Sequence, residues 1–182
     1  MEILGGLGML KKKIFSKLII MTFLVLFING LSFANEKMIP FKTLDINEEE
    51  VDGGVFQRAD LTMINIWATF CPPCLDELPA LGKISKEYED KNFQIIGIVA
   101  DVRGKENLDL AKEIIEKTEA DFLHILPSQD LIALKLKNVS VVPETIFVDK
   151  NGNVVGQSIV GSRNEVQWKS IIDQYIEEYV VK

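Results

Sequence analysis

Ile64-Asn65-Ile66-Trp67-Ala68-Thr69-Phe70-Cys71-Pro72-Pro73-Cys74-Leu75-Asp76-Glu77-Leu78-Pro79 holds both cysteines of a 182-residue chain, three positions apart. Before them, Met63 to Ala68 is apolar apart from Asn65 and bulky enough for a buried strand. After them, Leu75, Leu78, Leu81 and Ile84 recur at helical spacing. The pair therefore sits where a strand turns into a helix. Pro72 and Pro73 suit a first helical turn, where a missing N–H costs nothing, and the i, i+3 spacing puts both sulfurs on one side of that turn. A disulfide between them is geometrically natural. The free N–H groups and the positive end of the helix dipole lie beside Cys71, which favours its thiolate, while Cys74 lies deeper. The pattern is that of a redox dithiol.

Other chemistries fit less well. A zinc site needs four N or S ligands, and two cysteines with the single His124 do not supply them. A structural disulfide closing so small a loop would stabilise little, because the entropic gain grows with loop length. A copper-handling module would want a longer cysteine spacing and a histidine nearby. A peroxiredoxin-type thiol peroxidase would need a Pro-x-x-x-Thr-x-x-Cys pattern and a placed arginine; Thr69 is present, but no proline stands upstream of it and no motif places Arg58, Arg103 or Arg163.

The run WATFCPPC, followed by LDELP and much later by VVPETIFVDKNGNVV, resembles the thioredoxin fold and, within it, the TlpA/ResA/CcmG-like extracytoplasmic thiol–disulfide oxidoreductases. The resemblance extends from Pro40 to the C-terminus. It implies that Cys71 attacks, that Cys74 resolves, and that Pro143 is a cis-proline facing them. Glu77 matches the buried active-site glutamate of ResA-like members, and Pro79 the proline that kinks the active-site helix. Substrate would be met by Trp67, Pro72, Pro73, Val142 and Pro143. Phe70 stands where the family usually has a second Trp. Asn65 stands where cytosolic thioredoxins carry a buried Asp, which leaves proton transfer to Glu77.

The resemblance also implies partners and a direction. The partners would be a disulfide-bearing exported protein and, as electron donor, a membrane thiol-transfer protein of the CcdA/DsbD type. Candidate targets are apocytochrome c or a methionine sulfoxide reductase, and Pro143-Glu144-Thr145 is similar to the cytochrome-maturation members. The rival direction is a disulfide-forming oxidase. No cofactor or metal is called for, and a monomer is expected.

Composition describes one ordinary globular domain, 47% hydrophobic and 26% charged. Net charge is −7, but residues 1–34 hold four lysines and one glutamate, so the remainder carries 16 basic against 26 acidic residues, a net −10. So acidic a domain is a poor nucleic-acid binder. Lys11 to Lys17, the apolar run Leu18 to Ile28 and Ser32-Phe33-Ala34 read as an export signal with a cleavage site. Residues 1–34 are thus a signal peptide or N-terminal membrane anchor, and 35–182 the thioredoxin-like domain. An uncleaved segment would tether the domain through residues 14–34, leaving it at the outer face of the membrane. Met9 would give a more usual signal start than Met1.

Along the domain, Asn35 to Asp60 reads as a polar lead with a strand at Pro40 to Leu44 and an acidic turn at Asn47 to Asp52. Strands follow at Met63 to Ala68 and Phe93 to Ala100, a helix at Asn107 to Lys117, a short strand at Phe122 to Leu126 and a helix at Leu131 to Leu136. His124 reads as an edge or packing residue. Glu144 to Asp149 and Val154 to Val160 form a hairpin across Lys150-Asn151-Gly152-Asn153. Ser162 with Glu165 makes a capping box for a last helix presenting Val166, Ile171, Ile172, Tyr175, Ile176 and Tyr179 to the core, with Trp168 partly exposed. The expected fold is a thioredoxin-like three-layer α/β/α sandwich with a central mixed sheet and the family's extra helix-strand insertion.

Overall fold

A computed structural model of the protein describes residues 36–180. The expected export segment, its cleavage site and the two possible starts lie outside them. Among the described residues, no helix is long and apolar enough to cross a membrane.

Strand β3, Leu61–Trp67, is buried at all seven positions, as a strand covered on both faces must be. It pairs in parallel with β4, Phe93–Val99, and antiparallel with β6, Glu144–Asp149. Strand β5, Leu123–Ile125, extends the sheet beside β4 and β7, Val154–Val160, beside β6, giving the order β5-β4-β3-β6-β7. Parallel neighbours on one side and a hairpin on the other make the mixed sheet that the sequence predicts.

Side chains alternate across this sheet. Ile64, Ile66, Ile96, Ile98, Ile146 and Val148 share one core with Met38, Phe41, Val55, Phe56 and Leu131. Leu61, Met63, Phe93, Ile95 and Phe147 share the opposite one with Leu81, Ile84, Trp168 and Ile172. That second face carries α1, Pro72–Glu87, and α4, Glu165–Tyr179, with α2, Lys105–Thr118, completing the layer beside Trp67 and Val99. Full burial of each such aliphatic side chain contributes roughly 1.5–3 kcal/mol before the entropy of ordering is subtracted.

The first face is covered differently from the expectation. Residues 36–60 are not a polar lead: β1, Lys42–Leu44, and β2, Glu50–Asp52, form an antiparallel hairpin, and a 3-10 turn over Gly53–Arg58 buries Val55 and Phe56. The acidic turn is shorter than predicted because the Asp45 carboxylate accepts the N–H groups of Asn47 and Glu49, freeing Glu50 to Asp52 to pair. The short helix α3, Gln129–Leu134, adds Leu131 to the same face.

The last helix is also corrected. Its cap is Asn164, not Ser162: the Asn164 side chain accepts from Gln167 N–H and the Gln167 side chain accepts from Asn164 N–H, a reciprocal capping box. Starting there, Trp168, Ile172 and Tyr175 fall at +4 and +3 steps on one face. Trp168 is wholly buried, while Val166, two residues and about 200° away, is 77% exposed.

His124 is buried on β5, stacked on Phe122 with ring centroids 4.3 Å apart. Its Nδ1 accepts from Trp67 Nε1–H at 3.2 Å and its Nε2 lies 2.9 Å from the Ala120 carbonyl, so the ring is held as the neutral Nε2–H tautomer. Burial pushes its pKa down to about 4 from 6.5. The unfolded chain binds this proton below pH 6.5 whereas the fold refuses it until about pH 4. Stability therefore falls as pH is lowered across that window, by up to about 3 kcal/mol from this residue. His124→Gln, which can keep both hydrogen bonds, should remove that component. Urea unfolding of both proteins between pH 7 and 4.5 measures it, and parallel stability curves would contradict it.

Candidate redox site

Strand β3 ends at Trp67, and the chain must turn at once into α1. The turn is pinned from the neighbouring strand's end: the Asp101 carboxylate accepts the Thr69 N–H at 3.0 Å and the Thr69 hydroxyl at 2.5 Å. Cys71 is the N-cap of α1, its sulfur accepting from Cys74 N–H at 3.3 Å, and Pro72 opens the helix as the missing N–H allows.

Cys71 and Cys74 are joined as a disulfide. Cys71 is 6% exposed and Cys74 not at all, so of the two cysteines only the first borders solvent. It lies 3.5 Å from the Val142 carbonyl oxygen, which brings the loop before β6 against α1. The Val142–Pro143 bond is cis. Pro72 and Pro73 are exposed, Val142 half-buried and Pro143 buried. Beside them a groove is lined by Phe70, Arg103, Val141 and Val142, with Phe70 and Val141 74% and 58% exposed.

Trp67 is not part of that surface. It is completely buried and engaged with His124, so it supports the turn from beneath. As the last residue of an inward-facing strand it could not be otherwise.

Glu77 is 2% exposed. Its Oε1 accepts from Asn65 Nδ2 at 2.9 Å, and its Oε2 from Arg163 N–H at 3.0 Å and Trp168 Nε1–H at 3.1 Å. Burial nevertheless raises its pKa above the usual 4.5, with the three donors and the Arg163 charge opposing that shift. The sign for stability is opposite to that of His124: Glu77's contribution is full below pH 4.5 and is lost as pH rises through its raised pKa. Asn65, Thr145 and Trp168 complete this pocket; the sequence reading placed Trp168 partly in solvent and so missed it as a partner.

A second buried charge also escaped the sequence reading. Glu144, directly after Pro143, pairs with Lys135 at 2.6 Å, with side chains 8% and 7% exposed. The available signal was a lysine between Leu134 and Leu136, and a glutamate opening a strand whose middle, Ile146 to Val148, is apolar. Among the described residues, no group of His, Cys, Asp and Glu could hold a metal ion.

The sequence matches the Redoxin family over residues 34–176. A thiol-disulfide oxidoreductase ResA from Oceanobacillus iheyensis is 29% identical over 113 residues, covering 58% of this chain and 55% of the relative. The ResA of Halalkalibacterium halodurans is 25% identical over 151 residues, covering 83% of this chain and 77% of the relative. The chain thus spans little more than half the length of the first. A thiol:disulfide interchange protein of the thioredoxin family from Chlorobium tepidum shares the fold, with a TM-score of 0.65 at 20% identity over 77% of this chain and 95% of that one.

Lys135→Met should destabilise the protein by about 3–5 kcal/mol, because Glu144 is left buried without its counter-charge. Combining it with Glu144→Leu should restore most of the loss. Chemical denaturation of the two variants measures this, and equal stability of the single and double variants would contradict it.

Proposed function

Because the chain belongs to the Redoxin family, we propose that it is a thiol–disulfide oxidoreductase of the ResA-like type, exchanging electrons with protein partners through Cys71 and Cys74. The observation that carries this reading is the disulfide at the N-terminus of α1, one sulfur at the solvent border and the other sealed behind it.

In the reduced protein, the Cys71 thiolate faces Cys74 N–H and the positive end of α1, both of which favour the charge. It attacks one sulfur of a substrate disulfide; that S–S bond breaks, a mixed disulfide forms and the other substrate sulfur leaves as thiolate. Cys74, deprotonated, then attacks the Cys71 sulfur, closing the internal disulfide and releasing the second substrate thiolate. Two electrons have passed from the dithiol to the substrate. The Cys74 proton needs an acceptor, and Glu77, one helical turn on and with a raised affinity for protons, is the group that fits the task.

Pro72, Pro73, Val142 and Pro143 surround Cys71 and form the substrate contact. Pro143 has no N–H to offer the sheet, so an extended substrate segment beside Val142 meets the site by strand addition. The groove along Phe70 and Val141 gives that segment an apolar footing.

The N-terminal segment supports an extracytoplasmic location, either secreted or tethered through residues 14–34. Outside the cytoplasm a reductase must be recharged through the membrane, which calls for a thiol-transfer protein of the CcdA/DsbD type. Its targets are specific exported proteins. Pro143-Glu144-Thr145 favours apocytochrome c over a methionine sulfoxide reductase.

Cys74→Ser should accumulate mixed disulfides with its targets and react with an alkylating reagent near neutral pH, whereas Cys71→Ser should do neither; equal reactivity of the two would defeat the assignment. The direction is tested separately by equilibration with glutathione buffers. A potential below roughly −200 mV, towards thioredoxin, is expected, and one near about −120 mV, that of DsbA, would point to an oxidase.

A further inference from the structure

Asn65 is wholly buried in the middle of the central strand, opposite Thr145 on β6. Both hydrogens of its amide are used: Nδ2 donates to Glu77 Oε1 at 2.9 Å and to Thr145 Oγ1 at 3.2 Å. Its carbonyl oxygen, Oδ1, is the one buried side-chain polar atom among the described residues that has no partner. Leaving a buried amide carbonyl without a donor is destabilising, so its persistence calls for an explanation.

The observed hydrogen bonds are those of the ionised state of Glu77. With the carboxylate ionised, the three N–H groups around it all point inward and are matched. Two of them, Arg163 N–H and Trp168 Nε1–H, are fixed donors that bind Oε2 and cannot reverse. A proton arriving at Glu77 therefore settles on Oε1, the oxygen that accepts from Asn65 Nδ2. Protonated Oε1 keeps one lone pair for accepting, but a proton placed on the Asn65 side sets donor against donor.

Asn65 and Thr145 are the two neighbours able to reverse their roles. An amide presents two donors at one end and two acceptor sites at the other in nearly the same shape, and a hydroxyl both gives and accepts. Turned over, Asn65 would place Oδ1 between Glu77 and Thr145, accepting from the Glu77 O–H and the Thr145 O–H, while Nδ2 takes the place where Oδ1 now stands without a partner. Each orientation makes two hydrogen bonds and leaves one end idle. The orphaned atom is then the cost of serving both states with one side chain.

We propose that Asn65 is a reversible hydrogen-bond partner of Glu77, its amide inverting together with the Thr145 hydroxyl each time Glu77 gains or gives up the proton of Cys74. Asn65 acts through Glu77 and is a positioning residue. The inference rests on the reading of Glu77 as the proton acceptor and specifies how a buried carboxyl can change charge without loosening the core. The groups facing Glu77 are Cys74 on its own helix, Asn65 from β3, Thr145 from β6, Trp168 from α4 and Arg163 from the preceding turn. Arg163 is the fixed charge among them, its Nη1 held by the Gly161 and Ser162 carbonyls.

The test is nuclear magnetic resonance on the unaltered, isotope-labelled chain in its disulfide form. The Asn65 side-chain NH2 resonances should change with pH at the same midpoint as the Glu77 carboxyl carbon, and their proximity signal to Thr145 should be lost on the acid side. An NH2 group unmoved through the Glu77 titration overturns the proposal. Kinetically, Asn65→Leu should slow release of substrate from the mixed disulfide by roughly tenfold near neutral pH, the loss of one hydrogen bond to a charged group, and should move the pH profile of that step upward. Added to Glu77→Gln, it should slow the step no further; additive effects would show that Asn65 acts on its own. If Glu77→Gln leaves the rate unchanged while the amide still follows the titration, the proton-acceptor reading fails and the inversion stands. If Glu77→Gln slows the step and the amide stays fixed, the inversion alone fails.

Discussion

The carboxylate of Glu77 accepts hydrogen bonds from three parts of the chain. Its donors come from the central strand, from the turn after β7 and from the C-terminal helix. Removing a carboxylate from water is unfavourable by several kcal/mol, and charge-assisted bonds from three N–H groups offset that cost only while all three elements hold their places. The position of α1 on the sheet, and so of the two sulfurs at its N-terminus, depends on this closure. Trp168 takes part twice, as a buried ring in the core beside Leu81 and Phe147 and as a donor to the charge.

Polar groups are arranged on both sides of Pro143. Glu144 and Thr145, adjacent on β6, point to opposite faces of the sheet because successive side chains alternate. Thr145 joins the Glu77 pocket on the helix-rich face, and Glu144 meets Lys135 at the end of α3 on the other. A buried ion pair adds little stability over apolar residues of the same volume. Its effect lies in what it forbids: α3 cannot slide along the sheet without stranding a charge beneath the loop that faces Cys71.

How much of this could be read from residues alone follows from what kind of signal each part leaves. The strand, the two cysteines and the helix after them are local, and periodicity with proline placement was enough. The mixed sheet followed from one parallel crossover and one hairpin turn. Glu77 was singled out by the family resemblance, which named none of its donors. Arg163 gives a backbone N–H, which any residue but proline would offer, and Trp168 was hidden by a helix start placed two residues early, at Ser162 instead of Asn164, which turned its face outward. The β1–β2 hairpin was obscured because Asp45 captures its turn with a side chain, and three-residue strands carry too little alternation to recognise. Lys135 and Glu144 are nine residues apart in sequence, and nothing at either position names the other.

The clamp of Asp101 on Thr69 has a consequence for how the protein meets its partners. Two hydrogen bonds tie Thr69, two residues before Cys71, to the end of the adjacent strand, so under the proposed exchange the Cys71 sulfur would enter the encounter with its direction already set. Exchange needs three sulfurs close to a line, and the effective concentration of a preset nucleophile is high. Little accommodation is left on this side of the complex. Under the proposed function, selection among partners would then fall to the other side: a disulfide whose own loop can swing its sulfur into that line would be a substrate, and one buried or held askew would be passed over, whatever the sequence around it.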